Sequence, residues 1–352
     1  MKRIAISTVL GLGLVVGGCA PVNKDLTTAK LDFKGQRYEK ARDHLLLAIE
    51  VDPVNGEAQY YLGMTLLELK DYAGVHDAFA KTRELTPGRF DKKIESEVDR
   101  VYVELYQDAR TYGEQGKSER AITLMSGAVA LDPSRMDGHL ALGSIHGNAG
   151  DFKSAAASLR RATEIEPDNE GAHFSLGLVY FNATEYDNAA GSFERVRELN
   201  SQNLDALENL ARCYQRAERF DKMIPIYQSI IELNPDSADA HYNYGIALIN
   251  AEKLDMAARE LEAVVRLDEN DNEALLNLSR IYRDLSRWDD ALGKLNLYIS
   301  RKPEDANGFT EKARVYTAWA EEAEGAGDAR KGQSYRKKAL DNLQIAGQKT
   351  GS

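Results

Sequence analysis

The side chains that could do chemistry in this chain are few and widely spaced. His139, His173 and His241 occupy one position of a recurring pattern, so the first two stand a whole repeat apart and the third two repeats further on. That is too far to chelate one ion without further ligands. Cys213 has no His or carboxylate offset to take its proton, so a buried thiol is expected rather than a nucleophile. Gly113-Glu114-Gln115-Gly116-Lys117-Ser118 has the residue types of a phosphate loop. Only two residues separate its glycines where four are needed, and no strand precedes it, so the stretch predicts a turn between helices. No catalytic residue, metal site or cofactor is expected, and the chain reads as non-enzymatic. The rival of another class is an enzyme or small-ligand receptor with its site in a groove.

The polar rows that do stand out are amides. Asn209, Asn243 and Asn277 recur every 34 residues, and Asn148, Asn182 and Asn250 share a second position of the repeat, one turn or so further along the first helix. A primary amide donates and accepts, so a ladder of them suits the backbone of an extended partner chain whatever its side chains. Arg212 and Arg280 lie one helical turn beyond two of these residues and would add charge-assisted contacts to acidic groups. These eight residues are the candidate partner-binding groove.

What must position them is a repeat. Leu142-Gly143 returns as Leu176-Gly177, Ala155 as Ala189 and Leu159 as Phe193, all at a step of 34. The same ruler continues in both directions. A large residue recurs at Leu45, Phe79, Met125, Leu159, Phe193, Tyr227, Leu261 and Leu295. Pro53, Pro87, Pro133, Pro167, Pro235 and Pro303 fall where each second helix must stop. Asn55, Asn169, Ser237, Asp271 and Asp305 stand where the next helix needs an N-cap. The pattern resembles the tetratricopeptide repeat, a helix-turn-helix unit that buries its apolar face only by stacking on copies of itself. The resemblance implies an all-α, right-handed superhelical solenoid whose first helices line a concave groove. The carboxylate clamp of the heat-shock co-chaperones needs Lys and Asn where this chain has Glu208 and Arg212, so that mode of binding is not expected.

Eight repeats are predicted over residues 25–303, with a helical insertion near 90–101, and a degenerate ninth repeat and cap over 304–352. The insertion, from Phe90 to Val101, exceeds the period by 12 residues and is a secondary contact candidate. Pro225 falls inside a second helix, where it is expected to remove one backbone hydrogen bond and bend the helix.

Composition agrees with a packed protein: 43% of the 352 residues are apolar and 29% charged, too apolar for disorder. The formal charge of -11 argues against a nucleic-acid partner, whose phosphates demand clustered Lys and Arg. Cys19 and Cys213 belong to no paired motif.

At the N-terminus, Lys2 and Arg3 precede an apolar run from Ile4 to Val16, and Val16-Gly17-Gly18-Cys19 follows at once. A run this short reads as a signal peptide before a membrane span. It resembles a bacterial lipoprotein signal, residues 1–18, which implies that Cys19 is lipidated and becomes the new N-terminus. Residues 19–24 would comprise the lipidated Cys and a short tether, Ala20 to Lys24, on the order of 15 to 20 Å even fully extended. Ala20 rather than Asp after the Cys implies the outer membrane, facing the periplasm, by the sorting rule of enteric bacteria. The whole resembles tetratricopeptide lipoproteins that assemble type IV pili or secretins, export polysaccharide or organise cell-wall hydrolases. The expected partners are a protein, through an extended segment in the groove, and a membrane, through the lipid.

Overall fold

The computed structural model describes residues 23–350; the signal-like stretch 1–18, Cys19 and residues 20–22 lie outside the described residues. Among the described residues there are eighteen α-helices and no strand. The chain divides into two compact units, one up to Leu142 and one from Gly143 onward.

The first unit holds α1 (Lys24–Lys34), α2 (Tyr38–Val51), α3 (Gly56–Leu69), α4 (Tyr72–Leu85), α5 (Asp91–Glu114), α6 (Ser118–Leu131) and the start of α7 (Met136–Asn148). Helix α5 runs for 24 residues where α3 has 14, and residues 91–101 are its N-terminal half. The apolar residues of that stretch turn inward. Phe90 is buried and stacks on Tyr60 with ring centroids 4.3 Å apart, and Ile94 is fully buried. The Tyr102 hydroxyl donates to Asp137 at 2.9 Å, which ties α5 to the first turn of α7.

The second unit continues with α8 (Phe152–Ile165), α9 (Glu170–Asn182), α10 (Tyr186–Leu199), α11 (Leu204–Arg216), α12 (Phe220–Leu233), α13 (Ala238–Asn250), α14 (Leu254–Leu267), α15 (Asn272–Asp284), α16 (Trp288–Arg301), α17 (Ala306–Gly325) and α18 (Ala329–Thr350). One continuous core of small and large apolar residues threads it from Ala189 to Val315. Helix α12 runs unbroken through Pro225. The last hairpin is longer than the others, and a stack of Trp288, Trp319 and Tyr335 joins it to α16.

Local chemistry explains the punctuation. Asn55, Asn169, Ser237 and Asp271 each accept the backbone N–H three residues on, and Asp305 accepts the N–H of Asn307. These bonds satisfy donors that the first helical turn leaves free. The tight turn inside each hairpin needs one residue in the left-handed region. Gly116, Gly150 and Gly327 supply it without strain, whereas the β-branched Thr184 is held there at φ +61°.

The Leu-Gly pair has a steric reason. A Cβ built on Gly177 would lie 2.8 Å from the ring of Phe193, and one on Gly143 would lie 2.6 Å from Leu159. The missing side chain lets the second helix press its largest residue against the first. Gly191, in α10 of the same repeat, has open space instead. Gly177→Ala should therefore destabilise the second unit, since overpacking costs about 1–3 kcal/mol and exceeds the gain in helix propensity. Gly191→Ala should stabilise it by about 0.5–1 kcal/mol. Thermal melts of the two variants check the opposite signs, and equal shifts would refute the close approach.

Candidate functional site

Helix α11 carries Glu208, Arg212 and Gln215 at i, i+4 and i+7, which places them on one face. Helix α13 begins two turns of chain later with Ser237 as its cap and sets Asp239 and Asn243 four residues apart. Between them α12 supplies Tyr227 and Ile230. Together these residues line a cavity of about 390 Å³.

Three polar groups in this cavity are unengaged. Arg212 is exposed and makes no hydrogen bond or ion pair among the described residues. Asn243 likewise makes no side-chain hydrogen bond. Tyr227 is buried except where it meets the cavity, and its hydroxyl has no hydrogen-bond partner among the described residues. Burial pushes that phenol up to about 12; the positive charge of Arg212 opposes the rise and the negative charge of Glu208 adds to it. The hydroxyl is therefore a neutral donor and acceptor across the physiological range. A guanidinium, an amide and a phenol around one opening can hold a carboxylate or carbonyl oxygen and a peptide N–H.

The remaining members of the predicted rows lie elsewhere. Asn209 turns its amide back to the Asp205 carbonyl, 2.8 Å away on its own helix. Asn277 donates to the Tyr242 hydroxyl at 3.1 Å and accepts from Arg280 at 3.3 Å, so both ends of its amide are occupied. Arg280 is itself committed: its Nη2 lies 2.9 Å from Glu311, a buried carboxylate that Arg283 and Arg314 also hold. Asn148, Asn182 and Asn250 are the last residues of their helices, beside the hairpin turns, and Asn250 donates to the Ile246 carbonyl at 2.9 Å. The structure thus brings Arg212 and Asn243 together and gives Asn209, Asn277 and Arg280 internal partners. Sequence reasoning passed over Tyr227 as a site residue. Its signal was present, because it is the one member of the large-residue row that carries a hydroxyl.

The other residues with chemical potential have structural tasks. His139, His173 and His241 each place Nε2 about one hydrogen bond from the carbonyl of a proline six residues earlier, at 3.1, 2.9 and 3.1 Å. The ring N–H pins the loop that enters each first helix, which explains why the three share a register. Cys213 is fully buried, and desolvation pushes its thiol up to about 12. Gly113 to Ser118 forms the turn from α5 to α6, with Gly116 at φ +73°. No cluster of three or more His, Cys, Asp or Glu able to hold a metal lies among the described residues. No helix among them is long and apolar enough to cross a membrane.

The first unit has an opening of its own, a cleft of about 620 Å³. Leu67, Tyr72, Val101 and Leu105 give it apolar walls, and Lys70 and Arg120 stand at its edge.

Helical hairpins that recur at a step of 34 residues are the units of an α-solenoid. A family model described as tetratricopeptide repeat matches residues 26–88, 106–170, 140–203 and 242–306. The chain belongs to the tetratricopeptide-repeat family, whose stacked hairpins serve as protein-interaction scaffolds. A model described as anaphase-promoting complex, cyclosome, subunit 3 matches residues 182–264. No curated protein matches the chain. Similar solved structures include YrrB, described as a tetratricopeptide protein with an unusual peptide-binding site; it is 22% identical over 52% of this chain and 95% of its own, with a TM-score of 0.45. A structure of MamA is 22% identical over 47% of this chain and 96% of its own, TM-score 0.41. A MamA fragment from Desulfovibrio magneticus RS-1 is 17% identical over 47% and 92%, TM-score 0.40.

Proposed function

We propose that this protein is a non-enzymatic scaffold, lipid-anchored at Cys19 to the periplasmic face of the outer membrane, that holds an extended segment of a protein partner. The machine it serves is an envelope assembly such as a type IV pilus or secretin. The observation that carries the binding role is the cavity between α11, α12 and α13, where Arg212, Tyr227 and Asn243 face one opening with their hydrogen-bonding capacity unspent. None of the three is a buried, unsatisfied group, so a ligand at the opening exchanges water for hydrogen bonds to the protein and breaks no internal one. Glu208 and Asp239 flank the opening, so the segment that fits pairs one acidic or carbonyl oxygen for Arg212 with N–H donors or basic groups beside it. The lipid anchor is supported by the order of charge, short apolar run and Cys at residues 2–19.

Two variants separate the parts of this reading. Cys19→Ser should move the protein from the membrane fraction to the soluble periplasmic fraction, because more than one acyl chain is what makes such attachment stable. Fractionation that leaves the variant in the membrane as fully as the parent sinks the anchor. Arg212→Ala/Asn243→Ala should stay anchored yet lose the protein that copurifies with the parent from native envelope extract. Undiminished recovery of that protein sinks the pocket.

A further inference from the structure

The first hairpin departs from its own repeat pattern on its outer side. Leu46, Leu47 and Val54 are exposed, whereas the fourth and fifth repeats place Arg160 and Glu194 and Arg161 and Arg195 at the first two register positions. Asp168 and Asp236 stand at the third, and the eighth repeat keeps a leucine at the second alone, Leu297. Val51, one turn beyond Leu47 on the same face of α2, is 74% exposed, and Val54 follows it in the loop at 72%. Water-facing apolar groups of this size, gathered on one short helix and its loop, mark a contact surface.

Where the chain enters the fold says what covers them. Asn23, the first described residue, donates its side-chain amide to the Ala48 carbonyl at 3.1 Å. Ala48 lies between Leu47 and Val51, so the entering chain is fastened at the patch itself. Cys19 is four residues away, a reach of at most about 14 Å. Charge points the same way. Residues 23–54 hold six basic and six acidic side chains, while the chain as a whole carries -11. The first hairpin is therefore close to neutral, so an anionic surface repels it less than it repels the chain as a whole.

We propose that the first hairpin lies against the lipid bilayer, with Leu46, Leu47, Val51 and Val54 entering its interfacial layer. This rests on the lipid anchor at Cys19. The contact would hold the repeats in one orientation to the membrane instead of letting them swing on the tether.

The test uses the full-length lipidated protein in vesicles of phosphatidylethanolamine and phosphatidylglycerol, labelled with an environment-sensitive fluorophore at Leu47→Cys. A second label at Val54→Cys guards against a local folding defect, and Leu267→Cys in α14, of comparable exposure, is the control. Cys213 is fully buried and escapes labelling. On vesicles the Leu47 and Val54 probes should shift to the blue, lose several-fold in quenching by aqueous iodide and gain quenching by nitroxide-labelled lipid. The Leu267 probe should not change. Protein that cosediments with vesicles while Leu47 and Val54 stay open to iodide overturns the contact and leaves the anchor standing; protein that does not cosediment overturns both. Shielding of the same probes in soluble Cys19→Ser protein also overturns the proposal. Shielding that grows with concentration would assign the patch to a second copy, and shielding independent of it would assign the patch to the apolar stretch from Ile4 to Val16.

Discussion

Arg212→Ala/Asn243→Ala should bind the partner segment about one and a half to three orders of magnitude more weakly than the parent, with no loss of fold. A hydrogen bond to a charged group contributes about 1.5–3 kcal/mol and one between neutral groups about 0.5–1.5 kcal/mol, and each 1.4 kcal/mol is a factor of ten in affinity. Arg212→Ala alone should account for the larger share, because its guanidinium is the one cation among the described residues that lines the opening. Tyr227→Phe removes only a hydroxyl and should cost under about tenfold. Stability is spared because neither Arg212 nor Asn243 gives up an internal partner. Asn277→Ala is the informative contrast. It breaks bonds to Tyr242 and Arg280 and should lower the melting temperature while leaving the affinity near that of the parent. Titration of the captured segment by fluorescence anisotropy reads all four.

Excising Glu170 to Asn203, one whole repeat, should leave a helical protein that melts cooperatively at a lower temperature. The junction is favourable in detail. Asn169 caps α9 by accepting from Ala172, and Asn203 caps α11 by accepting from Ala206. After excision Asn169 precedes Leu204 and can accept from Ala206 in the same way. Helix α8 then meets α11 as it formerly met α9, and the array loses one unit and one interface. Removing only α9 and its turn, Glu170 to Glu185, sets two second helices side by side. Phe193, fully buried in the parent, loses the groove over Gly177, and each large core residue uncovered costs about 2–5 kcal/mol. That sum exceeds the marginal stability of a domain. Circular dichroism should show lost cooperativity for the half deletion alone; equal melts for both would break the register.

The periodic part of this fold could be read without coordinates because the repeat states each rule several times. Leu-Gly pairs, capping residues and prolines all fall at one step, so local propensity and long-range packing give the same assignment. The site was harder because a row of identical residues shows a shared face and not shared neighbours. Asn209, Asn243 and Asn277 occupy one position, yet Tyr242 stands beside Asn277 and Glu311 beside Arg280, and both partners come from the adjoining repeats. Phe90 illustrates the same limit. An aromatic residue at the start of a charged insertion suggests an outward contact, but Tyr60 offers it a stacking partner and it turns into the core. The histidine row has its cause in loop carbonyls, which the sequence does not display as neighbours.

The claim that a partner's segment lies between α11 and α13 is tested most directly by a benzophenone side chain placed at Gln215, at the rim of the cavity. Irradiated in the native envelope, it should form one dominant adduct, mass spectrometry should place the bond within a short extended segment of one protein, and Arg212→Ala/Asn243→Ala should abolish it. A benzophenone at Thr123, in the cleft of the first unit, should capture no such segment. An adduct at Gln215 that persists in the double variant, or a segment captured at Thr123 and absent at Gln215, would contradict the account.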